Sequence, residues 1–330
     1  MLENYGVKAN SAQSSARMWC LCFLMSSLLV AKMCVAQSPI PVALDVLPGG
    51  SLAVVDSSGK VSEVTLGKTT AHKSRLLFTL ADGESPVDMT LGQFNGQYYL
   101  FVLTRPQDGS DRGTIHQYAY PSGAEVKHAI SLTEMATGID YDESANALYF
   151  VSSHGGRLFR TALCDRSIVL IGSLPDIGKS GPLGVRTGRV SGCGQADKSG
   201  SVLYVGDALN GAIYEYKVTE KTVAKVSKYI GAVTAELVAR KNANFPTLYA
   251  SDSTRHLIVP FAIQHNGSLI AQTWVAQDGR LNTPSGIALL SSVNVVSDLG
   301  RSSLVVYDPN WKFLYEIRGK EGPSPTSSSW

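Results

Sequence analysis

The stretch TPSGIALLSSVNVVSDLGRSSLVVYDPNWKFLYEI, residues 283–317, contains one complete unit of the repeat that decides the fold. A Pro-x-Gly-aliphatic segment opens the unit, and an apolar strand ending at Asp298 follows. A polar turn then leads to a third apolar segment from Leu304 to Asp308, and a weaker fourth segment begins at Phe313. Short apolar segments separated by Gly, Asp and Ser turns predict β-strands rather than helices.

Related units recur along the chain, about every 48 residues. Inner strands are predicted to begin near Pro41, Pro86, Ala136, Pro182, Val233 and Pro284, with a small or acidic residue within each strand at Ala43, Asp88, Gly138, Gly184, Glu236 and Gly286. Second strands end at Asp56, Thr104, Ser153, Asp207, Asp252 and Asp298. A lone four-stranded sheet cannot bury both faces, whereas a ring of six stacked sheets can. The sequence therefore predicts an all-β, six-bladed β-propeller over residues 37–318, with four antiparallel strands per blade and no strand exchanged between its ends.

The N-terminal residues predict export. Arg17 precedes an apolar segment, and small residues at Cys34 and Ala36 suit cleavage before Gln37. We therefore expect a signal peptide over residues 1–36 and a secreted or extracytoplasmic protein; the alternative is a retained signal anchor. No other segment is long and apolar enough to cross a bilayer, so no membrane span is expected in the mature chain. Residues 319–330 are rich in Ser and Pro and are predicted to be a disordered tail.

Two cysteines, Cys164 and Cys193, remain after the signal peptide. The predicted topology places them on the same face of adjacent blades, so a disulfide is plausible in an oxidising compartment. The alternative is a pair of free thiols. Neither cysteine belongs to a CxxC or Cys/His cluster, so the cysteines do not indicate a zinc site.

Charge and motifs exclude several functions. The formal net charge is +2 and the basic residues are scattered, so no nucleic-acid partner is expected. The chain contains no GxSxG, HExxH or GxxxxGK[ST] motif, which removes the common hydrolase, zinc-protease and phosphate-binding templates. We expect a monomer.

The turns between second and third strands should share one face with the connections between blades. Loops on a rigid scaffold commonly carry recognition, so we predict a small-molecule or protein ligand at the mouth of the central channel. The candidate binding residues on this face are Arg105, Arg157, Asp207, Asn210, Asp252, Arg255, Asp298 and Arg301. The recurring strand-end aspartates also have a structural interpretation, in which each carboxylate accepts hydrogen bonds from its own turn. His154 and His256 are candidate catalytic bases or metal ligands, or alternatively surface histidines.

The second half of the chain resembles a propeller of the regucalcin/gluconolactonase type, and the individual blades resemble NHL repeats. The resemblance rests on Thr247–Asp252, on Asn266-Gly267-Ser268-Leu269, on Thr283-Pro284-Ser285-Gly286-Ile287-Ala288 and on Leu304–Asp308. It implies a six-bladed fold, a divalent metal at the channel mouth and metal-dependent lactone hydrolysis. These motifs are specific for architecture and weak for chemistry, because unrelated activities share the fold. A lyase or synthase of strictosidine type also shares it, but no residue here selects that activity.

The chain departs from this family at the metal. The positions that match the family's ligands before the inner-strand glycines are Val42, Val87, Thr137, Leu183, Ala235 and Ser285. None is a carboxylate or an amide, whereas calcium prefers several oxygen ligands. The sequence therefore predicts a secreted binding module without a cofactor. The alternative is a lactonase/esterase-type hydrolase with a divergent calcium or zinc site built from Asp88 and Glu236, together with His154 or His256. If Asp88 and Glu236 hold no metal, we expect that one or both are solvated or pair with a neighbouring Arg.

Overall fold

The structure, a computed structural model, describes the chain in eleven ranges. These are residues 39–67, 72–126, 129–143, 145–152, 156–174, 185–190, 202–207, 212–228, 234–240, 247–264 and 268–318. For residues 185–190, 225–228 and 234–240 only the backbone is described. The predicted signal peptide and the predicted tail fall outside these ranges.

The described strands form six antiparallel sheets, each built from consecutive strands. Blade 1 contains β1 (Pro41–Val46), β2 (Leu52–Asp56), β3 (Lys60–Leu66) and β4 (His72–Thr79), and blade 2 contains β5 (Glu84–Phe94), β6 (Gln97–Pro106), β7 (Thr114–Tyr120), β8 (Ala124–Glu125) and β9 (Ile130–Ser131). Blade 3 contains β10 (Ala136–Asp142), β11 (Ala147–Ser152), β12 (Arg157–Ala162) and β13 (Ile168–Ser173), and blade 4 contains β14 (Val185–Val190), β15 (Val202–Asp207), β16 (Ala212–Lys217) and β17 (Thr222–Lys228). Blade 5 contains β18 (Thr234–Arg240), β19 (Thr247–Asp252), β20 (Leu257–Ile263) and β21 (Leu269–Ala271), and blade 6 contains β22 (Pro284–Leu289), β23 (Asn294–Asp298), β24 (Ser303–Tyr307) and β25 (Phe313–Arg318).

The innermost strands close a ring. Each of β1, β5, β10, β14, β18 and β22 contacts the inner strand of the next blade, and β22 contacts β1. Each blade is complete in itself, so the predicted six-bladed propeller without strand exchange is confirmed for the described strands. Within the same ranges, no helix has the length and apolar character needed to cross a bilayer.

Apolar side chains fill the spaces between neighbouring blades. One cluster joins Leu44 and Val54 of blade 1 to Val295 and Leu304 of blade 6, so the ring is also closed by packing. Fully burying one such side chain contributes about 1.5–3 kcal/mol. This packing helps to hold the strands nearest the axis in position.

Tyrosine hydroxyls link blades at their edges. Tyr141 of blade 3 donates to the Gln93 carbonyl of blade 2 at 2.5 Å, and Tyr315 of blade 6 donates to the Gly67 carbonyl of blade 1 at 2.8 Å. Tyr216 of blade 4 likewise donates to a carbonyl of blade 3. These bonds satisfy hydroxyls that would otherwise be costly to bury.

Blade 2 differs from the sequence prediction. In blade 4 the described inner strand is Val185–Val190, with Arg186 opposite Gly206 of β15, whereas the predicted start near Pro182 and the small residue at Gly184 lie outside the described residues. The outermost position of blade 2 is shared by two short strands, β8 and β9, which both pair with β7.

Candidate functional site

The turns between second and third strands lie at the same end of the strands as the connections between blades, because every sheet is antiparallel and consecutive. We call this end the loop face. The described arginines predicted to bind a ligand lie on or beside these turns, and Arg105, near the end of β6, is exposed.

The strand-end aspartates are buried and bonded to their own turns. Asp56 Oδ1 accepts hydrogen bonds from the amides of Ser58 at 2.8 Å and Lys60 at 3.2 Å. Asp252 Oδ1 accepts one from the Thr254 amide at 3.0 Å. Both side chains are at most 2 % exposed, and Asp207 is equally buried. This geometry matches the structural interpretation of these residues, because a ligand could reach the carboxylates only if the turns opened.

Asp298 fixes the entry to its own inner strand as well as its turn. Its Oδ2 accepts from the Asn282 amide at 2.6 Å, and its Oδ1 accepts from the Thr283 amide at 2.8 Å. In blade 1 the residue at the position of Asn282 is Pro39, which has no N–H to donate. Asp56 Oδ2 is accordingly buried without a hydrogen-bond partner.

A carboxylate missed by sequence reasoning positions the arginine of blade 3. Glu134, in the connection before β10, lies 2.8 Å from the Arg157 guanidinium and also accepts a hydrogen bond from the Ser152 hydroxyl. The Glu134 side chain is 13 % exposed and that of Arg157 is 47 % exposed. The acid is therefore an anchor, whereas the guanidinium extends into solvent.

Blades 5 and 6 repeat this arrangement at a constant spacing. Arg255 lies 3.8 Å from Asp252, and Arg301 lies 3.9 Å from Asp298, with the arginine three residues after the acid in each case. Both aspartates are fully buried and both arginines are about one-third exposed. Arg301 also donates to the Gly279 carbonyl at 3.1 Å. The loop face thus presents guanidinium groups that buried acids hold in place.

The inner strands carry two carboxylates that bond to the next blade. Asp88 Oδ2 accepts from the Ile139 amide at 3.0 Å, and Asp45 Oδ2 accepts from the Leu91 amide at 2.6 Å. Burial raises the pKa of Asp45 to about 6 despite the hydrogen bonds from Leu91 and Val46, and the neighbouring Asp88 carboxylate raises it further. These acids satisfy edge N–H groups of the neighbouring inner strand.

A register shift, a β-bulge or local irregularity, occurs near the start of five inner strands. It spans Val42, Val87, Thr137, Ala235 and Ser285, five of the positions that match the family's metal ligands. The Ser285 hydroxyl lies 2.8 Å from the Ser297 hydroxyl and is buried. In the described part of the chain, no group of three His, Cys, Asp or Glu side chains could hold one metal ion.

Several predicted site residues are only partly placed. His154, Asn210 and Cys193 lie outside the described residues, and Glu236 is described only by its backbone. His256 is exposed and has a φ of 61°, a left-handed turn conformation. Cys164 is an exposed free cysteine, and because Cys193 is not described the disulfide stays a prediction.

A buried histidine lies between two carboxylates in blade 2. The two ring nitrogens of His116 each lie 2.8 Å from a carboxylate oxygen, Nε2 from Glu84 and Nδ1 from Glu125. A neutral imidazole has one N–H and can donate to only one of them. The cluster ties the start of β5 to the short outer strand β8, and we assign it a structural role.

A groove between blades 5 and 6 is the second feature that the sequence did not indicate. Its volume is about 580 Å³, and its lining residues are Tyr249, Pro260, Ala271, Gln272, Thr273, Val275 and Trp311. The rings of Tyr249 and Trp311 lie 5.2 Å apart across the two blades. Trp274, beside the groove, is 39 % exposed and lies under the Arg255 guanidinium at 5.1 Å. The position of the groove depends on strand pairing, which the local sequence does not reveal.

Comparisons with known proteins establish the fold alone. No family model matches the chain, and no curated protein matches it in sequence. Among solved structures, a chain of a nidogen/laminin complex is similar with a TM-score of 0.59 at 12 % identity, covering 79 % of this chain and 91 % of that one. An auxiliary nutrient binding protein from Bacteroides thetaiotaomicron is similar with a TM-score of 0.54 at 14 % identity, covering 86 % of this chain and 69 % of that one. At these identities the similarity supports the β-propeller fold and no further property.

Proposed function

We propose that this chain is a secreted β-propeller that acts as a binding module and recognises an anionic partner at its loop face. The observation that carries the proposal is the set of guanidinium groups at Arg157, Arg255 and Arg301, each beside a largely buried acid. A guanidinium has five N–H donors, so a single acid partner leaves donors for a second anion. Arginine suits such recognition because its planar group matches carboxylate and phosphate oxygens.

The anchoring acids favour binding in a second way. Long side chains lose conformational freedom when they bind, at a cost of about 0.5–1.5 kcal/mol each. Glu134, Asp252 and Asp298 already restrain the arginines. The arginines therefore lose less conformational entropy when the partner binds. The titles of the two similar structures describe a protein complex and a nutrient-binding protein, which agrees with a binding role but identifies no partner.

The alternative, a lactonase or esterase with a divergent metal site, has less support. The Asp88 carboxylate accepts hydrogen bonds from the Met89 and Ile139 amides, so recruiting it to a metal would break those bonds. This function stays a prediction. It would be abandoned if the wild type and an Asp88→Ala, Glu236→Ala double variant were equally inert on a panel of lactones and aryl esters, with and without chelator.

The binding proposal is tested with a fluorescein-labelled poly-glutamate 20-mer as an anionic probe. We expect the Arg157→Gln, Arg301→Gln double variant to bind it at least about tenfold more weakly, because two charge-assisted contacts of about 1 kcal/mol or more each are removed. Fluorescence anisotropy at low and physiological salt measures the loss, and the binding should weaken as salt rises.

A matched control carries Lys73→Gln and Lys221→Gln. Both lysines are exposed and lie away from the loop face. Because each double variant loses two positive charges, the two variants have the same net charge. Equal binding by both variants would contradict a loop-face site, as would a wild type that does not bind the probe.

A further inference from the structure

The outer edge of blade 5 contains a β-bulge that the sequence did not predict. The Gln272 amide donates to the Pro260 carbonyl at 2.8 Å, and Val275 exchanges two backbone bonds with Ile258 at 3.1 and 2.9 Å. Between these contacts the outer segment advances three residues, from Gln272 to Val275, while β20 covers only two, from Pro260 to Ile258. The outer segment therefore contains one extra residue. Bulges redirect side chains and occur often beside functional sites. Here the bulge places Trp274 at the outer edge of the blade.

Two aromatic rings, Tyr249 and Trp311, line the groove beside this bulge, and the buried Tyr307 ring packs against Trp311; we call the three rings the aromatic row. Trp311 from blade 6 lies 5.2 Å from the Tyr249 ring and 5.8 Å from the Tyr307 ring. Trp311 has a φ of 64°, an uncommon conformation for a bulky residue. Its turn is held by Asp308, whose Oδ1 accepts from the Lys312 amide at 2.8 Å. The indole is therefore positioned by its own turn.

Two donors in the row have no acceptor. Trp311 Nε1 and the Tyr307 hydroxyl are buried and make no hydrogen bond within the described structure. Such groups usually find a partner, because an unsatisfied buried donor costs about 1–3 kcal/mol. Trp311 lines the groove, so a carbonyl oxygen bound there could accept from its indole once the ring turns outward.

The border of the groove is cationic. The Arg255 guanidinium lies over Trp274, and the Arg280 guanidinium lies over the Phe313 ring at 4.2 Å. Lys312, next to Trp311, is exposed. Asp278, two residues before Arg280, is an exposed acid in the same connection.

We propose that this groove binds an acidic, proline-containing peptide segment of a partner protein in the polyproline II conformation. Polyproline II segments dock into grooves lined by aromatic side chains and lose little entropy because they are already extended. Proline rings would pack against Tyr249, Trp274 and Trp311, and a peptide carbonyl would accept from the Trp311 indole. Acidic side chains would face Arg280 and Lys312. The groove lies between blades 5 and 6. Arg255, which lies over Trp274, belongs to the loop face, so the groove is tested through Trp274, Arg280 and Lys312 instead.

The test uses a fluorescein-labelled peptide of four Pro-Pro-Glu repeats and the full folded chain. A peptide of four Gly-Ser-Glu repeats has the same charge without the conformation, and one of four Pro-Pro-Lys repeats has the conformation with the opposite charge. We expect the Pro-Pro-Glu peptide to bind at least about tenfold more tightly than either control. Binding should also shift the NMR signal of the Trp311 indole N–H.

Variants separate this site from the loop face. Trp274→Ala should weaken binding about tenfold, since exposed tryptophans are frequent binding hot spots. Arg280→Gln with Lys312→Gln should weaken it several-fold and alters only exposed side chains, which preserves the test if Trp274→Ala is unstable. The Arg157→Gln, Arg301→Gln variant should lose binding of the Gly-Ser-Glu peptide, which the loop face would bind through charge alone, but should keep its preference for the Pro-Pro-Glu peptide.

Three results would overturn the proposal. One is equal affinity for the Pro-Pro-Glu and Gly-Ser-Glu peptides, which would reduce the interaction to charge alone. Another is unchanged binding in both groove variants. The third is displacement of the peptide by a neutral oligosaccharide such as cellohexaose, which would identify the aromatic row as a sugar platform instead.

Discussion

At Gly172, the ring of Tyr216 from the next blade lies where a side chain would otherwise stand. A Cβ built at Gly172 would lie 2.6 Å from the Tyr216 ring, and one built at Gly92 would lie 2.7 Å from the ring of Tyr141. Both tyrosines donate their hydroxyls to carbonyls of the preceding blade. These glycines therefore set how closely two blades approach, and substituting them should loosen one blade interface rather than a single strand.

We predict that Gly172→Ala destabilises the protein by about 1–3 kcal/mol, because the new methyl group would force the Tyr216 ring from its position. The free energy of unfolding in urea measures the effect. The control is a double-mutant cycle with Tyr216→Leu, in which much of the cost should disappear since the flexible leucine can give way. Additive losses in the cycle would contradict the proposed clash.

Individual residues differ in how far the sequence reveals them. The turn hydrogen bonds of Asp56, Asp252 and Asp298 could be anticipated, because an Asp that begins a polar or glycine-containing turn is a local turn signal. Glu134 could not be assigned to Arg157, since the two residues meet only after β10 and β11 pair. Trp274 depends on one extra residue in an outer segment, and no local pattern marks a bulge there.

At the scale of the strand, each inner strand has an open edge toward the axis. The Asp45 and Asp88 carboxylates satisfy part of that edge by accepting from amides of the following blade. Their positions in the register differ, because Asp88 is opposite Leu103 whereas Asp45 is opposite Ala53, two steps further along its strand. The sequence pattern correctly located the inner strands of blades 1 and 2, but it could not predict that these acids bond to neighbouring amides.

The raised pKa of Asp45 leads to a prediction about pH. Burial lifts this pKa to about 6 from the ordinary value of 3.8, so the folded state binds more protons than the unfolded state between these values. The contribution of Asp45 to stability should therefore fall as pH rises from about 4 to about 6, by about 1–2 kcal/mol. Urea midpoints measured across this range should differ in slope between the wild type and Asp45→Asn.

The comparison needs an exposed aspartate as its control. Asp108 lies on the loop after β6 and is exposed, so Asp108→Asn should leave the fall in stability between pH 4 and pH 6 in place. If Asp45→Asn retained the full wild-type slope, the carboxylate would not be the group that titrates in this window.

At the scale of the whole molecule, the period of the repeat was sufficient to predict the ring. Six units of similar length can bury their faces only against one another, and the contact between β22 and β1 completes that arrangement. In blade 4 the described part of the inner strand is Val185–Val190, which follows the predicted start near Pro182. The repeat period therefore predicts the fold well. It gives almost no information about which side chains the loops carry or what they bind.

The ring also determines which side chains a metal ion at the channel mouth would contact. This gives a test that separates the binding module from the metal-dependent hydrolase. Register shifts span Val42, Val87, Thr137 and Ser285, the residues that the sequence resemblance aligned with metal ligands, and none offers a carboxylate. A bound ion stabilises the folded state by RT ln(1 + [L]/Kd), so a real site would raise the melting temperature. We predict that about 1 mM calcium or about 10 μM zinc changes Tm by less than about 1 °C relative to EDTA.

Matched variants make the metal result decisive. A rise of several degrees that disappeared in Asp88→Asn would favour the hydrolase, because the carboxylate would then have left its amide partners to bind the ion. A zinc-dependent rise that disappeared only in His256→Gln would instead indicate a surface histidine site on the loop face. An unchanged Tm in all three proteins would count against the metal-dependent hydrolase.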